Sequence, residues 1–97
     1  LKTNPGERIL YATETTQKDN EGDFVVTDKR TVIFSKTGTK EIPLSSLSAV
    51  LSVSNSVMQL TVAGEEGEQK HYIFMPESQM KYALAIVRWA FGKIASS

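Results

Sequence analysis

A chain of 97 residues has room for one modest hydrophobic core, and 40% hydrophobic with 23% charged side chains is an ordinary globular composition. Eleven basic and eleven acidic side chains cancel, which removes the basic surplus that phosphate neutralisation asks of a nucleic-acid binder. The absence of cysteine excludes disulfides and thiolate metal sites and fits a reducing cytoplasm, and no apolar run approaches the roughly 18 residues of a membrane-spanning helix.

One domain is expected over residues 1–97, with residues 1–6 as a lead-in; the first residue, Leu1, fits a processed chain or an excised fragment. Residues 8–16 read as a strand with Ile9, Tyr11 and Thr13 on one side and Leu10 and Ala12 on the other. A polar loop follows over residues 17–23. Residues 23–27 and 31–35 are β-rich and joined by Asp28-Lys29-Arg30, the pattern of a hairpin. A turn around Gly38 leads to a short strand over residues 40–44, where Pro43 marks an end or an edge. Ser45-Ser46-Leu47 suits a single helical turn. Residues 49–53, 57–63 and 69–75 then alternate as strands, broken by Ser54-Asn55-Ser56 and by the acidic glycine turn over residues 64–68. The total is about seven strands.

Helical spacing begins only after Pro76 and runs to about Ala95. Pro76 and Glu77 suit a helix start, the one by its fixed φ and the other by its charge at the positive end of the dipole. At about 100° per residue, Met80, Ala83, Leu84, Val87, Phe91 and Ile94 share one side and should plug the strands. Tyr82, Ile86 and Trp89 form a second stripe, with Trp89 about 180° from Met80.

Three passages resemble the bacterial pleckstrin-homology-like (PH-like) families and, more distantly, GRAM domains. They are Gly6-Glu7-Arg8-Ile9-Leu10 as an opening strand, Val26 to Phe34 with Thr27 and Arg30 in a T-x-x-R hairpin, and Glu41-Ile42-Pro43-Leu44 leading through Leu47 to Val50. The terminal helix matches the capping helix of those families. The resemblance implies a mainly β fold: a PH-like barrel, or strongly bent sheet, of about seven antiparallel strands capped by a C-terminal α-helix. It implies no single activity, because members bind phosphoinositides, peptides or other proteins.

The candidate sites follow from the residues. In lipid-binding relatives the loop after the first strand carries clustered bases, whereas residues 17–23 hold one base and three acids, which repel phosphates. Lys29 and Arg30 at the hairpin tip could touch anionic lipid; equally, Thr27 and Asp28 could hold the turn while Arg30 pairs with an acid. Tyr82, Ile86 and Trp89 are the candidate partner-binding residues, since aromatic anchors off the core side suit an interface. The alternative cover for that stripe is the lead-in or a flanking segment. Arg88 and Lys93 beside it extend the lipid alternative. His71, the only histidine, lacks the further ligands of a metal site and the reactive pair of a catalyst. Glu65, Glu66 and Glu68 lack the ligand pattern of a calcium loop. The resulting expectation is a noncatalytic module without metal or cofactor that binds a protein partner or a second copy of itself. The alternative is a peripheral module on anionic lipid headgroups, using Lys29, Arg30, Arg88 and Lys93.

Overall fold

The computed structural model describes residues 3–16, 22–36, 38–64 and 66–95. Most of the polar loop after the first strand, together with Leu1, Lys2, Thr37 and Glu65, lies outside the described residues. Seven strands precede one helix: β1 (Ile9–Thr15), β2 (Gly22–Thr27), β3 (Arg30–Ser35), β4 (Gly38–Pro43), β5 (Leu47–Ser54), β6 (Val57–Gly64), β7 (Gly67–Phe74) and α1 (Glu77–Ala95). A 3-10 turn over Leu44–Ser46 separates β4 from β5, one residue earlier than the spacing suggested.

The strands form two antiparallel sheets, β1-β2-β3-β4 and β5-β6-β7. Of the two forms expected, a barrel or a strongly bent sheet, the closed barrel is not the one adopted: the two sheets are not closed on one another. Pro43 supplies the reason at one seam. It has no N–H to continue a ladder, and the chain turns the corner with Leu44 N–H donating to Lys29 O at 3.0 Å. At the other seam β1 meets β7 through Thr16 N–H donating to Phe74 O at 2.9 Å.

Register decides which side chains enter the core. Phe24 opposes Thr13 and Ile33, and Val26 opposes Tyr11 and Thr31, so these share the inner face of the first sheet. Leu60 opposes Val50 and His71, and Met58 opposes Ser52 and Ile73, which forms the facing layer. Phe24, Val26, Met58 and Leu60 are wholly buried. Bulges spoil strict alternation between Ile9 and Tyr11, Leu47 and Ala49, and Ser52 and Ser54. Ile9 is thereby turned to solvent while Leu10 packs on the core, and Leu51 and Val53 lie outside while Val50 lies inside.

The helix closes the remaining opening. Met80, Ala83, Val87 and Ala90 are buried, with Leu84, Phe91 and Ile94 half-buried against the same core. Ala90 belongs to the inner face although its small side chain adds little to a hydropathy stripe. The Tyr11 hydroxyl and Gln79 Oε1 are hydrogen-bonded, which fixes β1 to the first helical turns.

Candidate interaction surface

The residues proposed to touch lipid or a partner gather at two places, the β2–β3 turn and the outer side of α1. At the turn, the Thr27 hydroxyl accepts from Lys29 N–H at 3.1 Å and from Arg30 N–H at 3.0 Å, and donates to Glu7 Oε2 at 2.8 Å. Asp28 serves a distant partner: its Oδ1 accepts from Arg8 N–H at 3.1 Å, and its own N–H donates to Arg8 O at 3.1 Å. The turn is therefore stitched to the start of β1 in both directions.

Arg30 is built into the fold. Its Nε and a terminal nitrogen grip the two oxygens of Glu7 at 2.8 and 3.0 Å, and its other terminal nitrogen pairs with Glu41. Such a two-pronged grip is the strong form of ion pair. The Glu7 carboxylate is fully enclosed, and Gly6, at φ 80°, makes the left-handed turn that brings it there. Thr27, Arg30 and Glu41 lie on the same outer side as Val32, by register, and this polar roof accounts for the complete burial of Val32. Arg30 stands out in the sequence and Glu7 does not; the signal for Glu7 is an acid right after the glycine that ends the lead-in.

Arg30's hydrogen bonds, the Asn4 N–H and the Thr27 hydroxyl hold the Glu7 carboxyl down to about 2, against the opposing effect of burial. Arg30 is correspondingly raised by Glu7. A carboxyl with a depressed folded value stabilises the fold above its unfolded value and loses that contribution as pH falls through the folded one. Thermal stability should therefore fall on acidification from about pH 4.5 to pH 2. Comparing the wild type with Glu7→Gln isolates this carboxyl. The variant should be less stable at neutral pH and lose less on acidification, and parallel pH profiles would show that Glu7 carries no linkage.

On the helix, Tyr82 is 55% and Trp89 54% exposed. Ile86 is half-buried and leans on the core, so the expected stripe is two exposed aromatics with a partly buried residue between them. Each ring has a cation beside it: Lys81 Nζ lies 5.7 Å from the Tyr82 centroid and Lys93 Nζ 4.7 Å from that of Trp89. Such contacts are electrostatically favourable. Arg88 donates to the Val50 carbonyl at 3.4 Å, on β5, an edge strand of the three-stranded sheet among the described residues. Lys29 is exposed at the hairpin tip.

The structure brings Trp89 and Lys93 together with residues the sequence left apart. Arg8, Leu10, Asp28, Trp89, Ala90 and Lys93 line a groove of about 310 Å³ between the β2–β3 turn and the C-terminal half of α1. Arg8, Leu10 and Asp28 escaped the sequence reading because only long-range pairing places them beside the helix. A separate apolar area lies on the outer side of the three-stranded sheet, where Leu51 and Tyr72 flank Gln59 and Val53 is also exposed.

His71 is half-buried on β7, and burial together with the charge of Lys40 lowers its basicity. Among the described residues no group of three or more His, Asp or Glu side chains is placed to hold a metal ion. Glu66 and Glu68 are exposed at the β6–β7 turn. No described helix is long and apolar enough to cross a membrane.

Two antiparallel sheets of consecutive strands, sealed by one C-terminal helix whose outer side keeps its aromatics in solvent, define a helix-capped β-sandwich of the PH-like kind. The bacterial PH domain family matches residues 3–88, and the chain belongs to that family. PH domains are generally noncatalytic binding modules, which suggests that general role here. The matched span ends at Arg88, one residue before Trp89. Comparison with curated proteins gives no match.

Proposed function

We propose that the chain is a noncatalytic binding module that docks a protein partner, a second copy included, on the outer side of α1 through Tyr82, Ile86 and Trp89. The observation that carries this reading is the exposure of more than half of both Tyr82 and Trp89 on the helix that seals the core. Aromatic side chains in that position are the usual anchors of protein interfaces. The membrane alternative has less support. Of its four bases, Arg30 is gripped by Glu7 and Glu41 and Arg88 is turned to the Val50 carbonyl.

A photo-crosslinking residue at position 82, in the producing cell, should give discrete protein adducts that disappear on Trp89→Ala. The same residue at position 70, on the outer side of the three-stranded sheet, should not give them. Loss of such an anchor weakens association by about thirtyfold, while Tm should move by no more than a few degrees because Trp89 is not core. Unfolding of Trp89→Ala would place the stripe in the core instead. Absence of adducts, combined with a blue shift of Trp89 emission on anionic vesicles, would assign the surface to a membrane.

A further inference from the structure

We infer that the groove beside Trp89 receives an acidic segment of a partner protein, with one apolar side chain seated against Leu10, Ala90 and the indole. This inference rests on the protein-docking reading above and gives that partner a chemistry.

Shape is the first support. The groove holds about 310 Å³, at the lower end of the roughly 300–1,000 Å³ found for ligand pockets. That suits an inserted side chain better than a whole cofactor. Its floor is apolar, and its rim is charged. The rim is also preorganised, because the Arg8 N–H bond to Asp28 Oδ1 and the Asp28 N–H bond to Arg8 O fix the turn against β1 and little ordering is left for the moment of binding.

Charge is the second support. The chain as a whole is neutral, yet the groove sets two bases, Arg8 and Lys93, against one carboxylate, Asp28. Lys29, exposed, follows Asp28 in the turn. Asp28 already accepts the Arg8 N–H at 3.1 Å, so one of its acceptor positions is engaged. A surface of this sign raises the encounter rate with acidic segments and disfavours basic ones. A flat anionic membrane would meet the helix side but would not fill a recess, which is why the observations favour a peptide.

The test follows Trp89 emission in the full chain during titration with three probes: a short capped peptide of alternating aspartate and leucine, its lysine–leucine counterpart, and phosphatidylserine vesicles. A saturable response to the aspartate–leucine peptide is expected. It should weaken with added salt and fall roughly five- to tenfold in Arg8→Glu and again in Lys29→Glu. Both side chains are exposed, and an unchanged circular dichroism spectrum would verify the fold. A response to the lysine–leucine peptide alone would overturn the acidic assignment and leave protein docking standing. A response to vesicles alone would overturn both. No response to any probe, or full affinity in both charge-reversed variants, would overturn the inference, and the crosslinking pattern would then decide the docking reading by itself.

Discussion

Phe24→Ala should cost the fold about 3–5 kcal/mol, the range for removing a wholly buried aromatic side chain. Phe24 is fully enclosed on β2, the strand between β1 and β3, so neither neighbour can move in without breaking ladder pairs. Much of the loss comes from the void left behind, because interiors are close-packed and relax only partly. Domains of this size are stable by about 5–15 kcal/mol, so the variant should sit close to the threshold of folding. Urea unfolding of both proteins measures the difference. A loss below about 1 kcal/mol would mean that the side chain is not in the core.

Gly22→Ala should be nearly as damaging, for a different reason. A Cβ on Gly22 would overlap the Phe34 carbonyl and approach the Ser35 Cα to 3.0 Å. These are backbone atoms of the neighbouring strand, and they cannot swing aside as a flexible side chain would. Gly22 also pairs with Thr15 and Ser35 and donates its N–H to Thr15 Oγ1 at 2.9 Å. The clash therefore has to be relieved by shifting ladder pairs on both sides. Overpacking of this kind costs about 3 kcal/mol. Equal urea midpoints for Gly22→Ala and wild type would show that the strands stand farther apart at this point.

Much of this architecture was legible in the sequence because it rests on local chemistry. Asp28-Lys29, Gly38, Asn55 and the pair Gly64 and Gly67 mark turns, alternation marks strands, and the spacing after Pro76 marks the helix. Faces were harder. The bulge between Ile9 and Tyr11 and those in β5 reverse which neighbours point inward, and a bulge leaves no composition signal. Barrel closure also could not be read, since it depends on how strands on opposite sheets meet after Pro43 turns the chain. On the helix, periodicity alone sends Tyr82 and Trp89 outward, while Ile86 falls near the boundary and leans in. The groove was illegible for a plainer reason: Arg8 and Asp28 meet Trp89 only through pairing of segments about sixty to eighty residues apart along the chain.

Every ladder among the described residues joins strands that are neighbours in sequence. Each hairpin therefore closes a short loop and can form early, since nearby pairings cost little chain entropy. The helix that covers the inner faces of both sheets comes after all seven strands. During synthesis the two meanders can thus be complete while Phe24, Leu60 and their neighbours still lack their lid. Exposed apolar surface of that kind is prone to aggregation. Docking of α1 once it has been made consequently decides whether the two meanders stay monomeric or need a chaperone.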